Sequence, residues 1–404
     1  MDVSFGAALL IIGVLLALAG ALSGVMKGTV LSISVLSVAA GIVLAALDVV
    51  TVDPDSHTVL YLIEIALVLT LFADGLHVES ELLKVHWGPP TRAIAVAMPV
   101  TIALLALAAH TLFGELSWAE SFLLGSVLAA TDPVVTSAVV TAQKVPAFVR
   151  HTLNLESGLN DGLALPFVLF FLVLAAPGGD AGHEALKLLG EAAFGALVGI
   201  VLGIAGGRFH DRVPGGLSAR YEGIYALGFG LAAFGLSDVT IGNGLIAAFV
   251  AGIAMGRTEH SIPAAFTDYA EDVGSIFQVA TFFVFGAFIV ATSFTGSVIG
   301  LIAFIAFALA IARPAAILAS FAGTGIPAPQ RAFIAWFGPK GVASMLFSIY
   351  VLDSDVANAP LIFGAAAFVI LASITAHGLT DTVGASWIER RMRVHDGPAA
   401  QPPG

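Results

Sequence analysis

Across 404 residues the chain is 58% hydrophobic and 11% charged, with a mean hydropathy of +0.99. Soluble domains carry roughly 25% charged residues, so the composition excludes an ordinary soluble domain and predicts an integral membrane protein. The net charge of −12 sits mostly in short loops, with no basic stripe or aromatic-interleaved patch to support nucleic-acid binding, and the absence of cysteine removes disulfides, thiolate metal sites and thiol chemistry.

Apolar runs of about 17 to 25 residues, enough to cross about 30 Å of hydrocarbon, predict about thirteen transmembrane helices. Their cores fall at 5–25, 29–47, 58–76, 93–113, 119–141, 152–176, 190–207, 221–236, 239–256, 274–292, 297–321, 331–351 and 361–381. The fold class expected is an all-α integral membrane protein, with a transmembrane domain over 1–388 and a short cytoplasmic tail over 389–404. Only the polar break Ser237-Asp238 separates the eighth and ninth cores. The first core ends in the signal-peptidase-like Ala17-Leu18-Ala19, but Met1-Asp2-Val3-Ser4 before it carries no positive charge, which favours a retained helix.

Basic residues set the orientation. With the N-terminus outside and the helices alternating, the cytoplasmic side receives Lys27, Lys84, Arg92, Lys144, Arg150, Arg208, Arg212, Arg220, Arg257, Arg331, Arg390, Arg391 and Arg393. Of the 16 Lys and Arg only Lys187 falls outside, while Arg313 and Lys340 lie within helices. This positive-inside bias also places the C-terminus in the cytoplasm, and the membrane expected is the cytoplasmic (inner) one.

Within the apolar runs, Asp132, Glu156 and Asp161 stand out. An ionised carboxylate at bilayer depth costs about 2.5 to 3.5 kcal/mol even on the lenient insertion scale, so it persists where it binds, pairs or titrates. On helix six, Glu156, Ser157, Asn160 and Asp161 project at about 0°, 100°, 40° and 140°, a single polar face, and Gly158 and Gly162 leave room for a neighbouring helix. Helix five carries Thr131-Asp132-Pro133 and helix twelve carries Gly338-Pro339-Lys340-Gly341. Each proline removes an amide donor and disfavours the preceding helical turn. The two breaks are an odd number of helices apart and so enter from opposite sides, as an inverted repeat of helices 1–6 on helices 8–13 requires, with the interrupted helices 5 and 12 crossing at an ion site.

These pieces carry a resemblance. TDP at 131–133, ESGLNDG at 156–162, FADGL at 72–76 and FGPKG at 337–341 resemble the monovalent cation/proton antiporters, in the cation:proton antiporter 1 type branch of bacterial and archaeal sodium/proton antiporters marked by Asn-Asp on helix six. The resemblance implies that Asp161 alternately holds a proton or the cation, that Asn160 is its neutral neighbour, and that Asp132, Thr131 and Ser157 are ligands. It places Asp74 near a helix-three acid that reaches the ion in some relatives, and it pairs Glu156 with an arginine, for which Arg313 is available. It also implies a homodimer. Where such proteins often carry arginine on helix twelve this chain has Lys340, which keeps the charge without the bidentate fork.

Hard monovalent cations prefer carboxylate, hydroxyl and carbonyl oxygens, and Asp161, Asp132, Ser157 and Thr131 supply such a set for Na⁺. A buried carboxylate disfavours being charged and empty, so it holds either a proton or a cation, and binding one expels the other. Glu156 with Arg313 reads as a structural pair, because Arg313 lies too deep to snorkel. Asp74 is either a site or entrance residue or a solvated acid; Glu64 and His110 read as interfacial or hydrogen-bonded; Lys340 reads as balancing the site's charge. The expected function is secondary exchange of Na⁺, with Li⁺ possible, for H⁺ at 1:1, serving pH homeostasis without a cofactor or enzymatic activity. The alternatives are K⁺/H⁺ exchange, a passive cation channel and a symporter for an organic anion. The chain lacks the phosphate-cradling G-x-x-x-x-G-K-[ST] motif of direct ATP use and the TVGYG filter of potassium channels.

Overall fold

Helices begin where sequence supplies a cap or a proline and end where neither continues them. The computed structural model describes residues 5–26, 33–52, 57–82, 88–132, 139, 142–178, 181–210, 212–213, 218–258, 264–292 and 294–395. Pro133, Lys27, Lys84 and the end of the tail lie outside the described residues.

In chain order the helices are α1 (Phe5–Met26), α2 (Ile33–Ala46), α3 (His57–Leu82) and α4, which runs Gly88–Arg92, a π-helical turn at Ala93–Ala97, then Met98–Leu112. Next come α5 (Trp118–Val127), α6 (Ala147–Ala175), α7 (Ala181–His210), α8 (Ala219–Asp238), α9 (Gly244–Thr258) and α10 (Ala264–Ala291). Helix α11 runs Val298–Phe307, a π-helical turn at Ala308–Ala312, then Arg313–Ser320; α12 (Ala328–Trp336), α13 (Val342–Leu352) and α14 (Ala359–His395) follow. Strands are absent among the described residues. Among the described residues, six stretches are long and apolar enough to cross a membrane: Val59–Leu76, Pro90–Leu112, Ala147–Ala175, Gly182–His210, Val298–Ser320 and Ala359–Arg393.

Local chemistry sets several boundaries. A capping box starts α5: the Ser117 side chain accepts the Glu120 amide while Glu120 accepts the Ser117 amide. The ninth helix starts at Gly244 rather than at 239, because the Asn243 side chain caps the Ile246 amide at 3.0 Å and the turn before it closes through the Gly242 amide on the Ser237 carbonyl. The tenth helix starts at Ala264, upstream of the expected 274. Helix α14 continues through Ile388, which is fully buried, to His395, and an Arg393 to Glu389 pair one turn apart supports its end.

Helix packing relies on small residues, as expected where lipid supplies no hydrophobic drive between helices. A Cβ on Gly75 of α3 would strike the Phe249 carbonyl of α9, and one on Gly252 of α9 would strike the Phe72 carbonyl of α3. The same reciprocal contact joins α2 and α10: Gly41 lies on the Phe283 carbonyl and Gly286 on the Val38 carbonyl. Helix α6 packs between α3 and α5, which brings the polar face of helix six to the end of α5.

Candidate functional site

The α5 helix stops at Val127, and the chain from Leu128 to Asp132 is irregular. A second irregular segment separates α12, which ends at Trp336, from α13, which starts at Val342. The two irregular segments meet: the Asp132 amide donates to the Pro339 carbonyl at 2.9 Å, and the Val342 amide donates to Asp132 Oδ2 at 3.2 Å. Asp132 therefore caps α13 from the other irregular segment, a carboxylate at a positive helix end. The glycines of the break make room for side chains from elsewhere. A Cβ on Gly341 would overlap the Asp132 side chain, and one on Gly338 would overlap the Arg313 guanidinium.

Helix α6 presents Glu156, Ser157, Asn160 and Asp161 to this junction, and all four are buried. Thr131 Oγ1 and Ser157 Oγ share a hydrogen bond of 3.2 Å, and Asn160 Nδ2 donates to Thr131 Oγ1 at 3.2 Å. The Thr131 backbone amide donates to the Asp161 carboxyl. One oxygen on each of Asp161 and Asn160, both Oδ1, is buried without a hydrogen-bond partner, as is Oδ2 of Asp74. Buried acceptors are normally satisfied, so these oxygens mark where an incoming ligand would gain most. Asp74 itself is half-buried on α3, and its carbonyl lies 3.5 Å from where a Cβ on Gly158 would stand, so the small residue of α6 brings it near Asp161.

Arg313, the first residue after the π-helical turn of α11, makes a bidentate pair with Glu156, one arm being Nη2 to Oε2 at 3.1 Å. Its Nη2 also lies 3.3 Å from the Ile334 carbonyl and 3.3 Å from the Phe337 carbonyl. The guanidinium thus joins helix six to the end of α12. Lys340 Nζ donates to the Ala130 carbonyl at 3.3 Å, and the Ser344 hydroxyl donates to the same oxygen at 3.3 Å. In the last turn of α4, His110 contacts the Leu116 carbonyl through Nδ1 at 2.8 Å and stacks on Trp118.

Sequence reasoning missed the contribution of α14. Ser373, His377, Thr380, Gly384 and Ile388 fall on one stripe about 80° wide. Ser373 Oγ accepts the Lys340 amide at 3.0 Å; His377 Nε2 lies 2.9 Å from the Trp336 carbonyl; Thr380 Oγ1 accepts from Trp336 Nε1 at 3.0 Å. Gly384 leaves space for the Phe337 ring. The signal was available in the i, i+4, i+7 spacing of polar and small residues on an apolar helix.

Four acids, Asp74, Asp132, Glu156 and Asp161, surround two bases, Arg313 and Lys340. Glu156 is matched by Arg313, and Asp132 lies at a helix N-terminus. That leaves Asp161 and Asp74 with acceptor oxygens and no counter-charge in contact among the described residues.

A profile of the transmembrane sodium/hydrogen exchanger family matches residues 11–383. The chain belongs to the sodium/hydrogen exchanger family. Its fold is that of the sodium proton antiporter MjNhaP1 from Methanocaldococcus jannaschii, with a TM-score of 0.71 at 18% identity over 95% of this chain and 97% of that one. It is 24% identical to the K(+)/H(+) antiporter NhaP of Alkalimonas amylolytica over 83% of this chain and 58% of the relative. It is 25% identical to the K(+)/H(+) antiporter NhaP2 of Shewanella sp. (strain MR-4), with 82% and 58% covered. A shorter match, 35% identity over 38% of this chain and 20% of the relative, is to the Na(+)/H(+) antiporter 2 of Zygosaccharomyces rouxii. The exchanger chain thus spans 58% of the length of the first two relatives. Family membership and the apolar helices make it a multi-pass membrane protein.

Proposed function

We propose that this chain is a secondary active antiporter exchanging one monovalent cation, with Na⁺ the leading substrate and Li⁺ accepted, for one H⁺ across the cytoplasmic membrane. The observation that carries this reading is Asp161, buried on helix six beside the junction of the two irregular segments, with Oδ1 lacking a partner. An uncompensated carboxylate at such depth holds a proton or a cation, and either one displaces the other.

In this reading Asp161, Asp132, Ser157 and Thr131 give oxygens to the cation. Asn160 orients Thr131 through its amide and does not titrate. Glu156 and Arg313 hold helix six against α12. Lys340 places a positive charge beside the junction while tying off the Ala130 carbonyl. Asp74 lies on the approach to Asp161.

The proposal includes thirteen spans, an outside N-terminus, a cytoplasmic C-terminus, a homodimer and inverted repeats of helices 1–6 and 8–13. Two observations support the repeats. The π-helical turns fall in α4 and α11, which the repeat pairs, and the reciprocal glycine contacts of α3 with α9 answer those of α10 with α2. Irregular backbone at membrane depth, buried in protein, is the form expected of an ion site between such repeats.

K⁺ is the second reading, favoured by the two relatives named as K(+)/H(+) antiporters. The test is dequenching of a pH-sensitive dye in proteoliposomes on addition of Na⁺, Li⁺ or K⁺ in turn. Response to Na⁺ and Li⁺ supports the leading reading and response to K⁺ alone the second. Cation currents far above exchanger turnover with no proton coupling would make the protein a channel.

A further inference from the structure

We propose that His377 is a positioning residue for the ion site: from α14 it bonds the Trp336 carbonyl at the end of α12 and, with Ser373, holds the Lys340 segment in place. The inference rests on the antiport reading above and adds a residue to it.

A break at membrane depth leaves amides and carbonyls that must find partners within the protein. At Trp336 to Val342 five such groups are satisfied from outside helix twelve. The Phe337 carbonyl accepts from Arg313, the Pro339 carbonyl from the Asp132 amide, and the Val342 amide donates to the Asp132 carboxylate. These three depend on Arg313 and Asp132, whose electrostatic surroundings change whenever the site exchanges a proton for a cation. The other two are met from α14, the Trp336 carbonyl accepting the Gly338 amide at 3.1 Å as well. His377 Nε2 meets the Trp336 carbonyl at 2.9 Å, and Ser373 Oγ accepts the Lys340 amide at 3.0 Å.

Both ring nitrogens of His377 face a carbonyl, which only accepts; in the form proposed, Nε2 carries the hydrogen and donates to Trp336 while Nδ1 accepts from the Ser373 hydroxyl. Nδ1 lies 2.7 Å from the Ser373 carbonyl and 3.2 Å from Ser373 Oγ, so the ring and the hydroxyl brace each other across one helical turn. Both residues are buried, at 3% and 0% exposure, where an imidazole and a hydroxyl without partners would be costly. The ring also packs 5.3 Å from that of Trp336. The pair therefore fixes both sides of the extended segment, and with it Lys340, whose Nζ reaches across to the Ala130 carbonyl at the end of the helix-five segment. Loss of the brace loosens the cation site without removing a ligand.

The test uses the full chain in proteoliposomes, with Na⁺ or K⁺, whichever drives proton movement in the wild type, and compares His377→Phe, His377→Gln and Ser373→Ala. Phenylalanine fills the space without a donor, whereas the glutamine amide can still donate to the Trp336 carbonyl. His377→Phe and Ser373→Ala should each raise the half-saturating cation concentration about tenfold, with a smaller change in maximal rate, and His377→Gln should return it to within about twofold of wild type. If His377→Phe yields no folded protein, Ser373→Ala carries the same expectation. Wild-type exchange with unchanged half-saturation in the variants overturns this inference alone, as does equal impairment by Phe and Gln. A wild type that moves no protons with any cation overturns the antiport reading and this inference with it.

Discussion

The Asp132 amide donates to the Pro339 carbonyl across 2.9 Å, while the carboxylate of the same residue accepts the Val342 amide at 3.2 Å. One residue therefore satisfies groups on both sides of Lys340, and the two irregular segments form a joint. Gly341 fits this joint because any side chain there would occupy the space of the Asp132 carboxylate.

Gly341→Ala should therefore damage transport while leaving the helices intact. Overpacking of this kind costs about 1 to 3 kcal/mol, enough to reduce exchange by about tenfold or more. Initial rates in proteoliposomes, alongside circular dichroism of the purified variant, measure both. Wild-type exchange in Gly341→Ala would show that the Asp132 side chain can move without consequence.

Asp161→Asn should abolish exchange for Na⁺, Li⁺ and K⁺ alike in a folded protein, since it removes the charge and hardly changes volume. Cation-dependent proton flux and the elution profile in detergent check the two halves of that statement. Surviving flux would move the shared site to another carboxylate, Asp74 being nearest at hand.

Glu156 and Arg313 should behave as partners in stability. Neutralising either alone leaves a buried charge unmatched, at a cost of about 3 to 5 kcal/mol by analogy with soluble interiors. Thermal unfolding in detergent should show each single variant sharply destabilised and the double variant recovering much of the loss. Strict additivity would mean that the bidentate contact contributes little.

Exchange should be electroneutral. Asn160 cannot titrate, and the Asp132 carboxylate is engaged at the amide end of α13, so Asp161 is the variable acid at the junction itself, with Asp74 on its approach. In vesicles whose voltage is clamped with valinomycin and K⁺, Na⁺ being the test cation, the null-flux point should not move with voltage. A shifting null point would require a second proton, carried by Asp132 or Asp74.

The polar face of helix six was legible in the sequence because four polar residues in an apolar run share an angular sector, and the structure buries all four. The irregular backbone at 337–341 falls where Pro339 stands in the sequence, whereas Pro133 lies outside the described residues. Less was visible on α14, where Ser373, His377 and Thr380 stand singly and reach two backbone groups and the Trp336 indole 33 to 44 positions away. The π-helical turns were hidden for a different reason. Ala93–Ala97 and Ala308–Ala312 are small apolar stretches whose composition fits an α-helix equally well. For Lys340, charge alone announced a role, but its hydrogen bond to the Ala130 carbonyl depends on a neighbour that only the fold supplies.

The reciprocal glycine contacts have a mechanical meaning. Where Gly75 and Gly252 each rest on the other helix's backbone, and Gly41 and Gly286 do the same, axial slippage would drive main chain into main chain. Those pairs travel as rigid units. Gly162 of α6 instead meets the ring of Phe249, a side chain that can swing aside, and Gly158 stands at ordinary van der Waals distance from α3. Backbone therefore does not block sliding of α6 past α3 and α9, and what ties the helix that carries Asp161 is its polar contacts, above all Glu156 with Arg313.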